Sequence, residues 1–208
     1  MRDIVIVGTG GLAKDVQWII ERINAVEKTW NLLGFIDCED KSNVIGNDDF
    51  LCSYSSDIDV VIAIGSADIR KELYTKYAKN INLNFPNIID PTAVISSSVT
   101  MGIGNIICAY SILTVDVTIG DFTIINLRAN IEHDSVIKDF VTISPSVNVS
   151  GNVSIETGAY IGVGVNIIQG IEIGEKTIIG AGAVVINNMP LKCMAVGVPA
   201  KPIKFLEE

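Results

Sequence analysis

The 208-residue chain has a single histidine, His133, and four cysteines, Cys38, Cys52, Cys108 and Cys193, that lie far apart with no C-x-x-C pair. That scarcity excludes a structural zinc site of the Cys/His kind, so no metal is expected, and it suits a chain kept reduced in the cytoplasm. Cationic residues are also few. Fifteen Lys and Arg stand against 24 Asp and Glu, a net charge of −9. A nucleic-acid reader needs a basic face to displace counterions from phosphates, and this composition argues against one. No apolar run reaches the roughly 18 residues of a spanning helix, so membrane insertion is not expected. The short run Ile4–Val7 ends at Gly8, too early for a signal-peptide core.

What the chain does have is a 49% hydrophobic composition, enough to bury a core, and a strict repeat. Reading every sixth residue from Ile89 gives an unbroken aliphatic series through Met101, Leu113, Ile131, Ile143 and Ile161 to Val185. Four residues after most of these anchors stands a small or β-branched side chain, as at Ala93, Val117, Ala129, Ser135, Val147 and Ala183. A period of six matches neither the 3.6 of a helix nor the simple alternation of a long strand. It matches short strands joined by turns. Three such strands close a triangular coil of about 18 residues, which predicts a parallel β-helix. Gly102, Gly104, Gly120, Gly162, Gly174 and Gly180 are expected at its corners.

Ahead of the repeat, Asp3–Val7 reads as a buried strand followed by Gly8-Thr9-Gly10-Gly11-Leu12-Ala13. An amphipathic helix, Lys14–Asn24, follows, with Val16, Ile19, Ile20 and Ile23 on one face. Strands Leu32–Ile36 and Val60–Ile64 and a helix from Ala67 to about Lys79 complete a small βαβαβ unit. Gly8-x-Gly10-x-x-Ala13 matches the G-x-G-x-x-G/A loop, whose glycines let a pyrophosphate approach backbone N–H groups at a helix start. Gly11 and Gly65 extend that site, and Asp37, at the end of the second strand, is placed to accept a ribose or base hydrogen bond. Pro86 and Pro91 bracket a linker, giving a Rossmann-like domain over 1–85 and a β-helix over 86–208.

His133 stands two places past anchor Ile131, a position that points away from the coil axis, so its neutral imidazole is available as a base. One coil later the same register holds Gly151, whose amide can approach a ligand closely. Asn126, one face earlier, is a candidate for sugar contact. Val163 and Ala181 also follow their anchors by two residues and are expected to line a coenzyme arm, with Lys201 near a phosphate.

The chain resembles the hexapeptide-repeat acyltransferases of the NeuD/PglD type, sugar O- and N-acetyltransferases. The resemblance rests on Val7-Gly8-Thr9-Gly10-Gly11 with Lys14, Gly34-Phe35-Ile36-Asp37, Ala63-Ile64-Gly65 with Ile69-Arg70-Lys71, and Asn130-Ile131-Glu132-His133-Asp134. Toward the carboxyl side it rests on Ser150-Gly151-Asn152-Val153, Ile179-Gly180-Ala181-Gly182-Ala183-Val184-Val185, and Val196-Gly197-Val198-Pro199-Ala200-Lys201. It implies that the β-helix is left-handed, that His133 is the catalytic base and that Asp134 orients it. It also implies that Gly151 donates to the acetyl carbonyl, that a nucleotide-linked amino sugar binds the first domain, and that acetyl-CoA lies between neighbouring coils of a homotrimer. Thr142 and Leu12 replace histidines that relatives often carry, the first at the acetyl-CoA site and the second at the nucleotide site.

Four rival readings are weaker. A hydride-transferring dehydrogenase lacks its second nucleotide half, and a γ-type carbonic anhydrase needs three histidines. A non-catalytic trimeric scaffold with a nucleotide-sensing domain stays open, as does O-acetylation of sialic acid or a related sugar. Sialic acid would call for a cationic clamp, for which the repeat offers little beyond Arg128 and Lys138.

Overall fold

A computed structural model of the chain describes residues 1–39 and 43–206. It divides into two compact units, Met1–Pro91 and Thr92–Glu208.

The first unit is a five-stranded parallel sheet. Strands β1 (Arg2–Val7), β2 (Trp30–Ile36), β3 (Val44–Gly46), β4 (Ile58–Ile62) and β5 (Leu83–Asn84) lie in the order β3-β2-β1-β4-β5. Helices α1 (Gly11–Val26), α2 (Asp48–Cys52) and α3 (Ala67–Tyr77) connect them. The central strands are apolar runs without polar alternation because both faces of a parallel sheet are covered; Ile4, Val5, Ile6 and Val60 are fully buried. Asp59 is the exception in β4, and its carboxylate accepts from Trp30 Nε1 at 2.7 Å and pairs with Arg2 Nη2 at 3.2 Å. Helix α1 buries Ala13, Val16, Ile19 and Ile20 against the sheet. Its Arg22 clasps the buried carboxylate of Asp90 at 2.7 and 3.2 Å.

The sequence reading anticipates three strands here, and five are present among the described residues. Strands β3 and β5 have only three and two residues, too few to display a period of two. Helix α1 starts at Gly11, three residues before the expected Lys14, because Gly10 serves as N-cap. Strand β4 sits two residues earlier than expected. Its pairing with β1 ends at Val7 and Ile62, leaving Ala63-Ile64-Gly65 as loop.

The second unit is a left-handed parallel β-helix. Its strands are two residues long, and each pairs with the strand 18 residues away, as Leu113 does with Ile131 and Ile131 with Val149. Three walls result. The first runs through Val94–Ile95, Asn130–Ile131 and Asn148–Val149 to Val184–Val185, the second from Thr100–Met101 to Glu172–Ile173, and the third through Thr142–Ile143 to Ile178–Ile179. A closing hairpin, Cys193–Val196 with Lys201–Phe205, extends the third wall. From Ile107 to Val185 no anchor is more than 2% exposed, and burying each such side chain contributes about 1.5–3 kcal/mol.

The corners correct one expectation. The left-handed backbone falls three residues after each anchor from Met101 to Ile179, with φ between +51° at Phe122 and +73° at Gly170, and most of these residues are not glycine. Of the glycines assigned to corners, only Gly104 has this conformation. Gly102, Gly120, Gly162, Gly174 and Gly180 instead stand one residue after an anchor. There a Cβ would strike the next coil: at Gly162 it would lie 2.7 Å from both Ala181 N and Ile179 O.

Candidate active site

His133 lies on the edge where the first wall turns into the second, and its side chain is 58% exposed. Its Nδ1 is 2.8 Å from Oδ2 of Asp134, the residue that takes the left-handed turn at φ +59°. A carboxylate can only accept, so this contact places the proton on Nδ1 and leaves Nε2 as the open lone pair. Gly151 is at the same place one coil above. A Cβ there would overlap Cε1 of the imidazole and lie 2.6 Å from Nε2. The ring therefore rests against the bare backbone of Gly151. Among the described residues, no carbonyl or side chain accepts from the Gly151 amide.

The two corners are braced together. Asn152 N donates to His133 O at 2.8 Å, and Asp134 N reaches down to Val115 O at 3.3 Å. Inside the coil, Ser135 Oγ donates to Ser150 O at 3.1 Å and accepts from Val153 N at 3.2 Å. This buried serine fixes the level of Gly151 relative to His133. The sequence signalled it only as a small inward residue, because its hydroxyl has no periodic signature.

In the first unit, a cavity of about 390 Å³ opens where strands β1, β2 and β4 end. This is the topological switch point of the sheet, where connections leave in opposite directions. Gly8 and Asp37 line it together with Ile64, Asp48 and Lys76. Gly8 has φ +99°, and a Cβ there would lie 2.6 Å from Ile64 Cδ1. The Thr9 hydroxyl donates to Asp37 Oδ2 at 2.6 Å, and this bond is the chief cause of a carboxyl pKa below the ordinary range. Gly10 and Gly11 face open space at the start of α1, whose first N–H groups carry no side-chain cap. Gly65 does not line the cavity. Its carbonyl and that of Ile64 each accept from Arg70 Nη1 at 2.8 Å, and burial pulls that guanidinium down to about 10.

The PglD N-terminal domain family matches residues 3–77. Over nearly the full length, the chain is similar to perosamine N-acetyltransferase from Caulobacter crescentus in complex with CoA and GDP-perosamine. The identity is 33%, the TM-score 0.88, and 97% of each chain is covered. The chain belongs to the PglD/NeuD-type sugar acyltransferases. Other solved structures agree with this family. The acetyltransferase domain of PglB from Neisseria gonorrhoeae, in complex with acetyl coenzyme A, is 30% identical with TM-score 0.90, covering 97% of this chain and 99% of that one. WeeI from Acinetobacter baumannii is 28% identical with TM-score 0.86, covering 98% and 100%. No curated protein sequence matches the chain.

Against this family frame, the expected site residues separate into groups. His133, Asp134 and Gly151 converge on one edge. Val163 and Ala181, although they too follow their anchors by two residues, do not continue that edge. They follow third-wall anchors Ile161 and Ile179 and so occupy the edge between the third wall and the first. Thirty residues separate Val163 from His133, which is not a whole number of 18-residue coils. Asn126 shares the edge of Val163, and its Oδ1 is engaged by Leu127 N at 2.8 Å. Thr142 stands mid-wall on the third face, 7% exposed. Lys201 is exposed on the terminal hairpin. Among the described residues, no group of three His, Cys, Asp or Glu could hold a metal, and no helix is long and apolar enough to cross a membrane.

Proposed function

We propose that this protein is an acetyl-CoA-dependent acetyltransferase acting on the amino group of a nucleotide-linked amino sugar in bacterial glycan biosynthesis. The observation that carries the reading is the imidazole of His133, bound through Nδ1 to Asp134 and resting on Gly151, in a chain aligned end to end with a perosamine N-acetyltransferase.

The residues then divide the chemistry. His133 Nε2 accepts the proton of the sugar amine as its nitrogen attacks the thioester carbonyl carbon. Asp134 keeps the imidazole in the productive tautomer and stabilises the imidazolium that forms. The Gly151 amide holds the oxyanion of the tetrahedral intermediate. When the C–S bond breaks, His133 returns its proton to the leaving thiolate, giving the amide and free CoA. In the first unit, Gly8 and Asp37 would hold the nucleoside, while the uncapped start of α1 at Gly10 and Gly11 would take the diphosphate. The four free cysteines suit a cytoplasmic enzyme.

A homotrimer accounts for the two separated edges. If copies pack side by side, the edge bearing His133 and Gly151 on one faces the edge bearing Val163 and Ala181 on the next. The acyl donor then lies in the groove between them, with Thr142 and Lys201 nearer its far end.

Thiol release from acetyl-CoA tests the reading, with wild type and His133→Ala compared over UDP-, GDP- and dTDP-linked 4-amino sugars and sialic acid. Release that requires one amino sugar and collapses in the variant is the expected result. Release with sialic acid alone would move the protein to O-acetylation, and silence with every acceptor would favour a scaffold.

A further inference from the structure

The edge that carries His133 continues above and below it. In coil order it reads Val115, His133, Gly151, Gln169, each 18 residues from the next. Backbone hydrogen bonds tie these corners into one ladder: Asp134 N to Val115 O, Asn152 N to His133 O, and Gly170 N to Gly151 O at 3.1 Å. The strip is not uniform along its length. Below the imidazole is Val115, half exposed and without a polar side-chain atom. Above Gly151 is Gln169, whose exposed carboxamide has no hydrogen-bond partner among the described residues. The imidazole leans toward the upper side, since Cε1 and Nε2 are the ring atoms nearest the missing Cβ of Gly151. Chemistry at Nε2 therefore takes place at the level of Gly151, one coil below Gln169.

We propose that Gln169 binds the first amide of the pantetheine arm of the acyl donor and fixes the direction in which that arm leaves the site. The proposal rests on the acetyltransferase reading above. With the thioester carbonyl at the Gly151 amide, the sulfur is followed by two methylenes and then an amide. That separation is close to the rise of one coil, about 4.7–4.9 Å. An amide needs one acceptor and one donor, and a glutamine carboxamide supplies both. Val115 supplies neither, so the donor arm runs upward and the less polar ring face of the acceptor sugar takes the lower side.

The test compares Gln169→Leu and Gln169→Glu with wild type. Isothermal titration should show CoA binding about tenfold weaker in Gln169→Leu, the loss of one hydrogen-bonded contact, with nucleotide-sugar binding unchanged. In turnover, the KM for acetyl-CoA should rise while kcat at saturation holds. Truncated donors locate the contact. The Gln169→Leu deficit should persist with S-acetyl-N-acetylcysteamine, which keeps the amide, and vanish with S-butyl thioacetate, which lacks it. Gln169→Glu, which keeps an acceptor but loses the N–H donor, should fall between. CoA binding within twofold of wild type in Gln169→Leu would overturn the proposal, as would an equal deficit with both truncated donors. Either outcome leaves the acetyltransferase reading standing so long as wild type turns over. A wild type that neither binds CoA nor releases thiol would overturn both.

Discussion

In Met1–Pro91 the cleft draws its residues from separate segments of the chain: Gly8 follows β1, Asp37 closes β2, Ile64 follows β4, and Asp48 and Lys76 stand on α2 and α3. They converge because parallel strands that start together also end together, on one edge of a sheet. In Thr92–Glu208 a residue's place is instead set by its register in a six-residue period. Every corner of the coil has nearly the same backbone, and chemistry enters where one side chain departs from the pattern. The sheet tolerates change in one loop without moving the others. In the coil, an inserted residue would shift His133 out of line with Gly151.

The sharpest break in the coil is His133→Ala. Loss of a positioned base should lower kcat by about 10²–10⁴-fold, while the melting temperature stays close to wild type because the side chain is 58% exposed. Activity that survived would remove His133 from the mechanism. Next comes a matched pair of glycines. In Gly151→Ala the new methyl meets the free end of an exposed imidazole, which can swing aside, so the fold should persist while kcat falls about a hundredfold. In Gly162→Ala the methyl meets backbone of the next coil, Ala181 N and Ile179 O at 2.7 Å, which cannot swing aside. That variant should lose about 1–3 kcal/mol of stability, with kcat per folded molecule falling far less than in Gly151→Ala. Thermal unfolding and steady-state kinetics on both variants separate the cases, and a reversed pattern would defeat the distinction.

These two glycines also mark how far the sequence alone can be read. The coil was legible because seventeen anchors repeat without a break, from Ile89 to Val185. The outward placement of His133 and its alignment with Gly151 followed by counting. What Gly151 accommodates did not: a letter G cannot distinguish room for an imidazole from room for a backbone, and Gly102, Gly120, Gly162, Gly174 and Gly180 were assigned to bends for that reason. Val163 and Ala181 show a different limit. Counting two past an anchor gives a corner, and only the remainder modulo 18 gives which corner. In the first unit, Asp37 was legible as the residue closing a strand, whereas its bond to Thr9 and the grip of Arg70 on Ile64 and Gly65 depend on side chains meeting across loops.

A smaller effect is expected at Asp134. Asparagine tolerates the left-handed backbone at φ +59°, so Asp134→Asn keeps the corner and removes only the charge that holds Nδ1–H. A drop in kcat of about tenfold should accompany a mixture of imidazole tautomers, since a neutral amide can donate or accept. With one histidine in the chain, the nitrogen resonances of that ring can be read without ambiguity. A single Nδ1–H tautomer in the variant would show that the carboxylate does not orient the base.

The smallest effect belongs to the cleft of the first unit. The Thr9 hydroxyl, bound to Asp37, holds that carboxyl below its ordinary value, with Glu39 and Cys38 assisting and burial opposing. A group whose folded pKa is depressed adds stability that is complete above the unfolded value, about 3.9, and is lost as pH falls through the folded one. Thr9→Val removes the largest cause, so the Asp37 carboxyl moves back toward its ordinary value. At neutral pH the variant should be weaker by under about 1 kcal/mol, the net worth of a partly exposed hydrogen bond. As the solution is acidified through pH 4 and below, the wild type protonates Asp37 too and the difference between the two should shrink. Urea midpoints from pH 7 down to 2.5 would reveal this convergence. A gap that stays constant with pH would mean that the hydroxyl contributes through packing and not through the charge of Asp37.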